Sequence, residues 1–257
     1  MYTTYLALGD SVSIDLYPAL DVGQTEVAVN LERDALAGGV APLGAASLLH
    51  ENDEERWPEF TGRDLKSHAP DVRFANLASD GATIGEVFGF QVPELEAVVA
   101  AAGGGGGEET LVTLTVGGND LLSAFANRPG ARLLGRFVED IVQAYDYLVA
   151  AIVRELPGAT ILLTTVYDPT DGTGVAPGLL DGAGPLPLQH LDRVNAHVRE
   201  LAERTPGARL ADVHARFLGH GVTAPEAERY YWRRSLVEPS ALGASEIRRV
   251  WLEAAGL

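Results

Sequence analysis

The chain of 257 residues contains no cysteine. That absence excludes a disulfide framework, a thiolate nucleophile and a cysteine-ligated zinc site. Positive charge is also scarce: 19 Lys and Arg stand against 36 Asp and Glu, for a formal net charge of −17. An acidic excess of that size speaks against nucleic acid and anionic membrane surfaces as partners, and it suits a solvated surface. No apolar run approaches the roughly 18 residues of a membrane span. The N-terminus reads as a strand, not as a basic segment leading into an apolar signal core. The expected location is therefore the cytoplasm, without membrane insertion.

What is present suffices for one sizeable core, since 46% of the residues are hydrophobic. Five short, β-rich apolar runs stand out at 4–8, 72–77, 110–116, 159–166 and 208–213. Between them lie stretches of helical periodicity at 56–68, 84–102, 133–155, 187–204 and 240–254. In 133–155, for example, Phe137, Ile141, Tyr145, Leu148 and Ile152 recur at spacings of three and four. Alternation of this kind predicts a three-layer α/β/α sandwich of flavodoxin type, with a five-stranded parallel sheet covered on both faces. It also predicts a single domain over 1–257. Three irregular stretches interrupt the pattern: a long acidic insertion at about 15–55, a flexible connector at Gly103–Gly107, and a Gly/Pro/Asp loop at about 168–187. Asp168, Asp171 and Asp181 in the last loop lack the spacing of a calcium loop and read as turn residues.

Chemistry collects at the strand ends. Gly9-Asp10-Ser11-Val12-Ser13 follows the first apolar run and places a serine hydroxyl on a sharp turn at the carboxyl edge of the sheet, where open α/β sheets bind ligands. After the second strand comes Asn76–Thr83, in which Gly81 lets the backbone approach a ligand just before a helix. After the third comes Gly117-Gly118-Asn119-Asp120, in which an amide side chain can donate a hydrogen bond. Each alone is ordinary turn chemistry. Together they supply a nucleophile and an oxyanion hole at one sheet edge. Asp10 and Asp120 read as braces of these loops through backbone N–H groups.

These three blocks, with Ala211-Asp212-Val213-His214 at the fifth strand, resemble the SGNH, or GDSL-type, hydrolases over nearly the whole chain. No Gly-x-Ser-x-Gly elbow of the α/β-hydrolase kind occurs. The resemblance implies hydrolysis of a small-molecule carboxylic ester without metal or organic cofactor. It further implies Ser11 as nucleophile, with its own N–H, that of Gly81 and the Asn119 side chain as oxyanion donors.

The C-terminal block departs from the family's Asp-x-x-His-Pro. Here the stretch reads Ser235-Leu236-Val237-Glu238-Pro239-Ser240, which puts Glu238 at the histidine position and Ser235 at the aspartate position. The six histidines are at 50, 68, 190, 197, 214 and 220, so none follows position 220. Three readings remain open. Glu238 can itself be the base, provided burial beside Trp232 or Tyr231 lifts it from its usual pKa of about 4.3, where a carboxylate is a poor base for a serine proton. His214, His220 or His50 can supply the function from another loop. Or the chain is a catalytically silent binding protein on the same fold, with Glu238 recognising a cation or a sugar hydroxyl. Arg233 or Arg234, if paired with Glu238, would hold its pKa down. Trp232, Tyr230 and Tyr231 are candidates for lining a substrate pocket, whereas Trp57 and Trp251 read as core residues.

Overall fold

The computed structural model describes residues 1–23, 40–101, 107–127, 129–176, 179 and 185–257. Five strands, β1 (Thr4–Gly9), β2 (Arg73–Asn76), β3 (Thr110–Thr115), β4 (Thr160–Thr164) and β5 (Ala208–Ala211), form one parallel sheet in the order β2-β1-β3-β4-β5. Every residue of β1 and β3 is buried, as the continuous apolar runs require of central strands covered on both faces. The labelled helices, in chain order, are α1 (Leu16–Asp21), α2 (Ala45–His50), α3 (Leu95–Ala101), α4 (Gly118–Ala126), α5 (Ala131–Glu155), α6 (Leu188–Arg204), α7 (Val213–Phe217) and α8 (Ala241–Ala255).

Strand side chains alternate between two cores. Leu6, Leu8, Val112, Leu114, Ile161 and Leu163 pack with residues of α3, α4, α5 and α6. Tyr5, Ala7, Leu111, Leu162 and Ala211 pack with α2, α7 and α8 on the other face. The fold is thus the expected three-layer α/β sandwich. Along α5 the buried stripe is Leu134, Val138, Ile141, Tyr145, Leu148 and Ile152, each large apolar side chain contributing about 1.5–3 kcal/mol by leaving water. Phe137, expected on that stripe, lies at its margin and is 36% exposed.

Two expected helices are broken. Residues 56–68 form only the turns Pro58–Phe60 and Leu65–His68. Between them Gly62 takes φ +76°, and the Asp64 side chain caps the second turn by accepting from Ser67 N–H. Residues 84–102 open with Ile84–Glu86, widen into a π turn at Val87–Gln91, tighten at Val92–Glu94 around Pro93, and only then become α3. Conversely, α1 and α2 form within the stretch read as irregular, and α4 follows directly on the glycine pair after β3. Residues 24–39, the connector 102–106, and 177–178 and 180–184 with Asp181 lie outside the described residues.

Candidate active site

The order β2-β1-β3 means that the chain leaves β1 toward one side of the sheet and returns at β3 on the other, opening a crevice between the two strand ends. Ser11 follows β1 and Asn119 follows β3, so both stand at that crevice.

The turn that carries Ser11 is held on several sides. Gly9 has φ +125°, and a Cβ there would overlap the Thr115 carbonyl of β3, so only glycine fits. Asp10 N–H donates to the Thr115 carbonyl at 2.9 Å, and the Ser13 and Thr115 hydroxyls meet at 2.8 Å. The Asp10 carboxylate accepts from Val12 N–H at 3.2 Å, capping the short Ser11–Ser13 helical turn, which is the bracing role expected of it. Complete burial pushes the Asp10 carboxyl up to about 7.

Sequence reasoning missed Gln91. At the end of the π turn its side chain is buried and clamps Gly9, accepting from its N–H at 2.7 Å and donating to its carbonyl at 2.8 Å. The signal was an inverted polarity, since Phe88 and Phe90 beside it are 46% and 70% exposed while Gln91 is buried. π turns of this kind re-aim a side chain at functional sites. The Gly9 carbonyl keeps Ser79 N–H as a second donor, whereas its N–H has only Gln91. Gln91→Leu is therefore expected to cost about 1–3 kcal/mol, the desolvation of one buried N–H, measurable by urea denaturation.

The second and third blocks are tied together. Asn119 Nδ2 donates to the Ala82 carbonyl at 3.0 Å, and Asp120 accepts from Ile84 N–H at 3.2 and 3.3 Å. Asp120 thus braces the loop, as expected. Ser79 N–H donates to the Gly9 carbonyl at 3.1 Å, which ties the turn before Gly81 to the Ser11 strand. Gly81 itself takes φ +71° in this turn and does not line the cleft described next.

Ser11, Asn119 and Glu238 share one cleft that opens to solvent. Away from these three its walls are mostly apolar, with Val116, Leu121, Phe125, Val166, Leu186 and Leu191 among them, beside Asp10, Asp168 and three threonines. Glu238 arrives on an extended segment: Tyr231 and Pro239 form an antiparallel bridge, and Trp232 N–H donates to the Glu238 carbonyl at 2.9 Å. Ser240 then caps α8 by accepting from Gly243 N–H, which fixes where the segment ends.

The Glu238 side chain is 9% exposed, and its carboxyl Oε2 is buried without a hydrogen-bond partner. Burial pushes its pKa up to about 8. The nearby Ser11 hydroxyl works in the opposite direction, and the Asp80 and Asp10 carboxylates add to the rise. Both arginines are exposed, and neither pairs with Glu238. Arg233 lies 4.0 Å from Glu226, and the Arg234 guanidinium stands 5.6 Å over the Trp232 ring, so neither holds Glu238 down. Ser235 does not line the cleft, and its N–H bonds the Trp232 carbonyl.

Among the described residues no histidine lines the cleft. His214 Nδ1 is engaged with the Val166 carbonyl at 3.1 Å, and His220 Nδ1 with the Glu228 carbonyl at 2.7 Å. His50 stacks on Phe74. Besides Phe125, Tyr167 lines the pocket, its hydroxyl donating to the Val237 carbonyl at 2.5 Å. Tyr230 and Tyr231 instead pack around Phe217 in the core, and Trp232 lies against Tyr17. Trp251 is fully buried, donating to Thr164, and Trp57 packs against the same core. Asp168 accepts from Thr170 and Gly172, and Asp171 from Gly219 and Gly221, so both are turn residues, as expected.

The sequence pattern of the GDSL-like lipase/acylhydrolase family matches residues 35–244. The chain belongs to that family. By family it is an ester hydrolase. Gly81, Asn119 and Glu238 lie within the matched segment of this GDSL-like chain, and Ser11 lies ahead of it. Solved structures share the fold. An extracellular lipase from Streptomyces rimosus superposes with a TM-score of 0.61 at 20% identity, covering 98% of this chain and 99% of that one. A phospholipase A1 from Streptomyces albidoflavus gives 0.60 at 19%, with coverage of 99% and 100%. An acetylxylan esterase from Geobacillus stearothermophilus gives 0.56 at 18%, with coverage of 99% and 94%. A sequence search of curated proteins gives no match. Among the described residues no helix is long and apolar enough to cross a membrane.

Proposed function

We propose that this GDSL-like protein, as one domain over 1–257, hydrolyses small carboxylic esters through an acyl-enzyme on Ser11, with Glu238 as the general base. The observation that carries the reading is that Ser11 and a buried carboxyl with an unpaired oxygen line one largely apolar cleft. Burial gives that carboxyl a pKa near working pH, where a general base is most effective. In this mechanism the Glu238 carboxylate takes the Ser11 hydroxyl proton as Oγ attacks the ester carbonyl. The oxyanion is met by the N–H of Ser11 and by the Asn119 amide. Collapse expels the alcohol, which leaves with the proton held by Glu238. Water, deprotonated by Glu238, then cleaves the acyl-serine and releases the carboxylic acid. The apolar walls suit the acyl chain.

A fluorophosphonate probe tests the nucleophile directly. Covalent labelling is expected for the wild type at mildly alkaline pH and not for Ser11→Ala. Absence of labelling across about pH 4–9 would favour the silent binding protein instead.

A further inference from the structure

Beside Glu238 lies a wall of aromatic and acidic side chains that the mechanism above does not use. The Tyr17 and Trp232 rings meet at a centroid distance of 5.8 Å and a tilt of 47°, leaving an angled aromatic corner. The Tyr17 hydroxyl donates to both oxygens of the exposed Asp80, at 3.1 and 3.0 Å. Both carboxylates act on the Tyr17 hydroxyl, and Asp80 acts on Glu238, so the four groups are neighbours. Among the described residues no Lys, Arg or His forms an ion pair with Asp10, Asp80 or Glu238. Glu238 is more than nine-tenths buried, lines the cleft, and keeps Oε2 without a partner.

A carboxylate without an ion-pair partner beside aromatic faces, here Asp80 against Tyr17, is the chemistry that recognises an organic cation. The Trp232 ring already receives one, the guanidinium of Arg234. A net charge of −17 draws cations toward such a site and speeds departure of a carboxylate product.

We propose that the corner formed by Tyr17, Trp232, Asp80 and Glu238 receives a quaternary ammonium group carried on the alcohol side of the ester, while the acyl chain occupies the apolar end of the cleft. The inference rests on the proposed function for the placement of the ester carbonyl at Ser11. A bound cation would also offset the fields of Asp80 and Asp10 on Glu238 and favour its ionised form, so the preferred substrate would help to ready the base.

The test compares butyrylcholine with 3,3-dimethylbutyl butyrate, in which a neutral carbon replaces the ammonium nitrogen at nearly the same shape. The choline ester is expected to have a kcat/KM at least about tenfold higher, within the range of a desolvated cation–π contact. That ratio is expected to collapse toward one in Asp80→Asn and in Tyr17→Leu. Because the readout is a ratio, changes in the overall rate cancel. A wild-type ratio near one, with the neutral ester turned over, overturns the cation site and leaves the ester-hydrolase reading standing. If neither ester is turned over, the Ser11 reading fails and calorimetric titration with choline decides the site. Binding to the wild type that Asp80→Asn abolishes supports it, and no binding, or equal binding by both, overturns it.

Discussion

Exchanging Glu238 for Gln is expected to lower kcat/KM for an activated ester by about 10²–10⁴-fold at pH 8.5, the usual range for removal of a general base. The amide is nearly isosteric and keeps the cleft, so the loss reports proton transfer and not packing. The wild type should show a matching pH dependence. Only the ionised carboxylate accepts the serine proton, so kcat/KM should rise with pH and reach half its plateau near the Glu238 pKa of about 8. An unperturbed carboxylate would instead place that limb near 4.3 and leave activity flat through neutrality. A profile flat between pH 6 and 9, or a Gln variant as active as the wild type, would transfer the base role to water or to a histidine.

Stability should move the other way. The folded-state pKa of Glu238 lies above its ordinary value of 4.5, so the native protein holds the proton more tightly than the unfolded chain. Its contribution is intact below about 4.5 and is lost as pH rises toward 8, where the buried group must ionise. Glu238→Gln removes that penalty and is expected to stabilise the protein by roughly 1–3 kcal/mol above pH 8, with little change below pH 5. Thermal denaturation at the two pH values reads the difference. A variant that is less active and more stable is the signature of a group held against its own solvation.

The second large effect is expected from the double change Ser235→Asp with Glu238→His. If Glu238 occupies the position the family gives to histidine, the pair installs an imidazole with an orienting carboxylate. An imidazole titrates near 6.5, so turnover at pH 7 should exceed that of Glu238→Gln by at least about tenfold, and the pH limb should move down by more than one unit. Ser235 is half-buried, with its N–H on the Trp232 carbonyl, and the new aspartate must turn toward position 238 to act. Glu238→His alone is the control and should give less. A folded double variant without the gain would show that the C-terminal block is out of register with the family's, whatever the role of Glu238.

Much of the molecule was legible without a structure, and the reason is local. The five apolar runs became the five strands within two residues at each end, and for the central β1 and β3 the reason is that a strand buried on both faces must be apolar nearly throughout. The long amphipathic stretches at 133–155 and 187–204 became α5 and α6 for the same kind of reason. Two helices failed where local geometry overrode periodicity: Gly62 with Asp64 broke one, and the π turn ending in Gln91 disrupted the other. Gln91 was invisible as a site residue because its partner, Gly9, comes from a strand far away in the chain, and a lone glutamine carries no motif.

Residues 9–11 and 117–120 by themselves determined that a serine hydroxyl and an amide donor would stand at adjacent strand ends, since strand–turn placement depends on neighbours in sequence. They left the base undecided among Glu238, three histidines and none. Only the tertiary structure turned His214, His220 and His50 to other partners, left Arg233 and Arg234 away from Glu238, and buried that carboxyl in the cleft that Ser11 lines. The difference is physical: a side chain's identity is written in the chain, but its proton affinity is set by the water removed and the charges gathered around it, which come from both ends of the chain at once.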